Sequence, residues 1–177
     1  MIFKGLKYFL LILFIVLIEL SILPQTGGWV KMINVFLLIL TLIYLTKGFN
    51  TALALSLIIG PIMDLYHLIL MPSITFCLVV TIFFMDSIFS RLFTNKSYYS
   101  FISMILLSVL VYNVLIKGIY GLQTMVTNSD FYLFSWSPSM IGGYLATLLF
   151  VNFIAGTILF LSSYFFSNNF KSVILRD

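Results

Sequence analysis

In the stretch LIIGPIMDLYHLILM, residues 57–71, Asp64 and His67 stand three positions apart, close to one helical turn. A carboxyl and an imidazole at that spacing could relay a proton, contact a ligand, or lock one helix to another. The chain holds five acidic residues and one histidine, yet these two share an apolar run. Ionisable groups inside a membrane segment are costly, and they face the bundle interior or one another. Asp64 is either ionised beside His67 or neutral and donating a hydrogen bond. A proton path needs further acids at stepwise depths, and this chain has few, so the residues favour a helix-to-helix lock.

Ser56, Gly60, Asp64 and His67 follow spacings of four, four and three, which places them on one face of a helix. Small residues four apart let a second helix come close. Pro61 lacks an amide hydrogen and leaves the Leu57 carbonyl without its helical partner, which predicts a kink. Glu19 and Asp64 fall at similar depth in two helices running the same way. Asn113 and Lys117 lie one turn apart near the same end of the fifth apolar segment. Glu19, Asp64, His67, Asn113 and Lys117 thus form a candidate buried polar cluster, structural or lining a pocket. Asp86 lies near the opposite end of the fourth segment, where local pairing or water access explains it. Gly142 and Ala146, and Asn152 and Gly156, are four apart and predict close helix packing.

Other chemistry is missing from the sequence. One histidine and one cysteine, Cys77, build no metal cluster and no intramolecular disulfide. There is no Gly-x-Ser-x-Gly elbow, Walker phosphate loop, Rossmann glycine pattern or HExxH. No enzyme activity, metal or cofactor is expected. The net charge of +4 comes from basic residues scattered between apolar segments, which argues against nucleic acid.

The elements that position these residues follow from composition. The 177 residues are 62% hydrophobic and 8% charged, with a mean hydropathy of +1.19. A soluble domain is nearer half apolar and a quarter charged. Six segments are expected to cross a lipid bilayer as helices, at about 8–23, 33–45, 51–71, 73–93, 100–120 and 140–166, in one polytopic domain covering 1–177. The second is short for a span. The charged, apolar N-terminus has no small-residue cleavage site after it and reads as a retained first span. Residues 121–139 form the one long loop. Lys4, Lys7, Lys47, Arg91, Lys96, Lys171 and Arg176 fall on one side, and Lys31 and Lys117 on the other. That bias puts both termini in the cytoplasm. Trp29 and Trp136 then fall outside, at headgroup level. The Asn-Lys-Ser at 95–97 matches a glycosylation acceptor, but lies on the cytoplasmic side.

The segment GPIMDLY, with Gly60 four residues before Asp64, resembles the Gly-x-x-x-Asp segment of the rod shape-determining protein MreD family. LFTNKSYYSF, residues 92–101, looks like the turn between two spans in small bacterial MreD-like proteins. Where that family often has a second glycine after the aspartate, this chain has Leu65, Tyr66 and His67. The resemblance implies a non-enzymatic scaffold in the bacterial cytoplasmic membrane, bound to an MreC-like single-span protein and to cell-wall synthases. Gly60 and Asp64 would shape the third helix, and Thr94, Asn95, Lys96 and Ser97 would form the cytoplasmic turn. The family's six-helix bundle is similar to the substrate-binding S-component of energy-coupling factor transporters. Such a vitamin- or metal-binding subunit is the alternative reading. Its coupling face of small residues on the first helix has no counterpart here, since YFLLILFIVLIELSIL contains neither alanine nor glycine.

Overall fold

The computed structural model describes residues 17–66, 72–92, 98–127 and 138–166. His67 and Thr94, Asn95, Lys96 and Ser97 lie outside these residues, as does most of the first apolar segment. Every regular element among the described residues is helical. α1 is a π-helical stretch, Ile18–Ile22, that closes in a short α-turn, Leu23–Gln25. A 3-10 turn at Val30–Met32 follows. The remaining helices are α2 (Val35–Lys47), α3 (Phe49–Tyr66), α4 (Ser73–Leu92), α5 (Tyr98–Thr127) and α6 (Pro138–Phe166).

Among the described residues, four stretches are long and apolar enough to cross a membrane: Phe49–Tyr66, Ser73–Ser90, Tyr98–Leu122 and Gly142–Ser163. By length and composition they make the chain a multi-pass membrane protein. α2, with 13 residues, rises only about 20 Å, less than a hydrocarbon core of about 30 Å. It is nevertheless the central element. It packs against α3, α5 and α6, and Phe36, Leu37, Leu38, Leu40, Tyr44 and Leu45 on it are buried.

Local sequence explains how α2 and α3 join. Gly48 is the only residue between them, with φ +90°, a left-handed conformation that a side chain disfavours. Its N–H donates to the Tyr44 carbonyl at 2.9 Å, closing α2 as glycine commonly does at a helix C-terminus. The hairpin then folds back at once, with α3 beginning at Phe49.

Successive helices pack in sequence order, α3 on α4, α4 on α5 and α5 on α6. Leu78, Ile82, Met85, Phe101, Met104 and Ile105 fill the space between them. Gly156 on α6 lets α5 approach: a Cβ there would stand 2.8 Å from Ile105 Cδ1. Gly142 has nothing within 4 Å among the described residues, and Ala146 is exposed. The close packing expected of that pair is therefore confined to the Gly156 end.

α5 continues to Thr127, past the boundary at 120 expected from hydropathy, and α6 begins at Pro138. Gln123, Thr124 and Thr127 end the apolar run without ending the helix, because a helix leaving the apolar layer keeps its backbone bonds. Residues 128–137 of the expected loop lie outside the described residues.

Candidate functional site

The buried polar groups meet the chain where its backbone leaves regular helix. A helix start has four N–H groups without an intrahelical acceptor, and an apolar surround has no water to receive them. α4 begins after Pro72, and the first helical bond runs from the Phe76 N–H to the Pro72 carbonyl at 3.0 Å. Proline has no side-chain acceptor to cap the helix. Asp64, from α3, does so instead. Its Oδ1 accepts from the Ile74 N–H at 2.8 Å and its Oδ2 from the Thr75 N–H at 2.9 Å. The Thr75 hydroxyl donates to Oδ2 as well. The carboxylate is buried, at 6% exposure. It sits at the positive end of the α4 dipole, where negative charge is favoured.

Gly60, one turn earlier, makes this geometry available. A Cβ built on Gly60 would meet the Thr75 Cα and Oγ1 at 2.8 Å. Gly60 and Asp64 therefore address the same residue of α4, one through lack of bulk and one through hydrogen bonds. Ser56 is buried on the same helix and donates to the Leu53 carbonyl at 2.8 Å. Pro61, inside α3, is exposed.

Glu19 has a parallel role. Its Oε2 accepts from the Phe36 N–H at 3.0 Å, in the first turn of α2. It projects from the π-helical stretch of α1. Such a bulge re-aims side chains relative to a regular helix. Beside it, Asn152 of α6 holds the turn that leads into α2. Its Oδ1 accepts from the Asn34 N–H at 3.0 Å, and its Nδ2 donates to the Met32 carbonyl at 2.9 Å and the Leu148 carbonyl at 2.8 Å. Asn152 lies fourteen residues into α6, about 21 Å along its axis. The turn before α2 thus reaches the middle of a membrane-length helix. Non-helical backbone is tolerated at that depth only where protein or a cavity satisfies it.

A recess opens alongside. Lys31, Met32, Asn34, Asn113, Tyr144 and Leu148 line it, with a volume of about 380 Å³. Asn113 donates to the Val109 carbonyl at 2.8 Å, and the Lys117 Nζ stands 3.6 Å from the centre of the Tyr144 ring, a cation–π contact.

Of the expected cluster, Asn113 and Lys117 are thus brought to Tyr144 and the rim of the recess. Glu19 and Asp64 serve two different helix starts. At the opposite end of the bundle, the Tyr44 hydroxyl donates to Asp86 Oδ1 at 2.8 Å. The partner of Asp86 therefore comes from α2, forty-two residues away. Sequence reasoning missed Tyr44, Asn34, Lys31 and Tyr144, and assigned Asn152 to packing alone. A lone asparagine in the run LLFVNFIAG was the available signal for Asn152.

Among the described residues, no three of His, Cys, Asp and Glu converge as metal ligands would. Glu19, Asp64 and Asn152 all hydrogen-bond to backbone. No protein-family model, curated protein or solved structure matches the chain.

Proposed function

We propose that the chain is a non-enzymatic scaffold of a bacterial cell-elongation complex, of the MreD-like kind. In this reading it crosses the cytoplasmic membrane six times with both termini inside, as the basic residues argue. It presents a fixed helical surface to an MreC-like single-span protein and, through it, to peptidoglycan synthases.

The observation that carries the reading is the joint action of Gly60 and Asp64 on Thr75. These are the two residues of the segment that resembles the family. They tie α3 to α4 by backbone contact and by a bidentate cap. A scaffold needs such a rigid unit, because a partner that docks on a preformed surface loses less entropy on binding. Glu19 and Asp64 act on backbone N–H groups, which serves shape rather than reaction.

Affinity purification of the tagged chain from its own membranes, followed by mass spectrometry, tests this. A single-span coiled-coil protein together with cell-wall synthases is the expected company. Recovery of two ATPases and a transmembrane coupling subunit would overturn the proposal and assign the chain to solute uptake as an S-component. A chain with Gly60→Leu, expressed at normal level, should lose the scaffold partner.

A further inference from the structure

The recess between the α2-leading turn, α5 and α6 is not used by the scaffold reading. Among the described residues, its lining contains one cation, Lys31, and no acid. Lys117 adds a second positive charge at the edge, held over Tyr144. The nearby carboxylate of Glu19 is directed to the Phe36 N–H and so is already engaged by a helix start. The volume, about 380 Å³, falls in the range of small-molecule sites, about 300–1,000 Å³. The polar groups are suited to anionic oxygen. Asn113 uses one amide hydrogen on Val109 and has a second to offer. Asn34 contributes another side-chain amide to the lining. Lysine binds phosphate as a compact point charge.

We propose that this recess binds a phosphate-bearing group, with Lys31 supplying charge and Asn34 and Asn113 supplying hydrogen bonds. The phosphate belongs either to an anionic lipid headgroup or to a free organophosphate. Exposed Trp29 and Val30 immediately precede Lys31 in its turn. Met32 and Leu148 in the lining supply apolar surface that an acyl chain would cover. The site does not depend on the identity of the protein partner.

Native mass spectrometry of the purified full chain tests it, with phosphatidylglycerol and the phosphate-free diacylglycerol as paired probes. The expected result is selective retention of phosphatidylglycerol. Lys31→Gln should lower its occupancy about tenfold, the effect of losing one charge-assisted contact. Lys47→Gln, at the other end of the bundle, should leave it unchanged. Lys31 is exposed on a short turn, and an unchanged melting temperature verifies that its variant is folded. Glycerol 3-phosphate is then added. Displacement of the lipid assigns recognition to the phosphate alone and a free organophosphate as a sufficient ligand. Persistence of the lipid assigns the headgroup with its chains. Equal retention of the two lipids, with no binding of glycerol 3-phosphate, would overturn the proposal. So would equal losses in Lys31→Gln and Lys47→Gln.

Discussion

Gly60 and Thr75 stand so close that a Cβ on Gly60 would lie 2.8 Å from the Thr75 Cα. Because that atom is backbone, it cannot swing aside as a side-chain tip would. Alanine normally favours a helix over glycine by about 1 kcal/mol. At position 60 the sign should reverse, since overpacking costs about 1–3 kcal/mol. Gly118, also helical, has nothing within 4 Å among the described residues. Thermal unfolding in detergent should therefore show Gly60→Ala melting below the parent and Gly118→Ala at or above it. Matching shifts in the two variants would mean that α3 and α4 do not approach this closely.

Asp64 makes two bonds to backbone and one to a hydroxyl. Thr75→Val removes only the hydroxyl and should cost about 1 kcal/mol. Asp64→Ala leaves the Ile74 and Thr75 N–H groups without an acceptor in a buried place and should cost about 3 kcal/mol. The ranking is the test, because both substitutions act at one contact. A Thr75→Val loss as large as that of Asp64→Ala would show that the hydroxyl, not the helix cap, dominates.

Tyr44 joins α2 to α4 by its hydroxyl on Asp86, while its ring meets the Phe89 ring edge-on at 5.6 Å. Tyr44→Phe retains the ring contact but removes the hydrogen bond to half-buried Asp86, at an expected cost of about 1 kcal/mol. Asp86→Asn keeps an acceptor oxygen within reach and should be milder. Chemical denaturation of both variants checks the order, and a larger loss in Asp86→Asn would contradict this contact.

Much of the helical plan was legible, because apolar runs in lipid have few solutions. The start of α4 follows the sequence closely, since Pro72 and Ser73 mark it. The end of α5 does not, because hydropathy reports the edge of an apolar layer and Thr127 lies beyond it. The candidate residues were legible as outliers: Glu19, Asp64 and Asn113 are conspicuous in apolar surroundings. Their partners were not. Glu19 and Asp64 bind backbone N–H groups, which every residue but proline carries, so no side-chain pattern marks the acceptor's target. The recess was equally hidden, since Lys31, Asn113 and Tyr144 lie far apart in sequence and meet only because the turn before α2 dips between helices.

That dip rests on Asn152, and its loss should be felt locally before it is felt globally. Leucine at this position keeps the branching but leaves the Asn34 N–H and the Met32 carbonyl, both half-buried, without their side-chain partner. Each lost bond costs about 1 kcal/mol where the recess admits water. α4 shares none of these bonds, so opening should begin at the turn and the first residues of α2. Hydrogen exchange on Asn152→Leu should show residues 30–36 losing protection while the middle of α4 keeps it. Asn152→Asp preserves an acceptor for the Asn34 N–H but has no donor for the Met32 carbonyl when ionised, so its loss should be centred on the turn itself. The Glu19→Gln chain supplies the complementary case. Its amide oxygen can still receive the Phe36 N–H, so the start of α2 should stay protected, whereas Glu19→Ala should expose it. Uniform loss of protection across α2 and α4 in Asn152→Leu would mean that the turn and the bundle open as one unit.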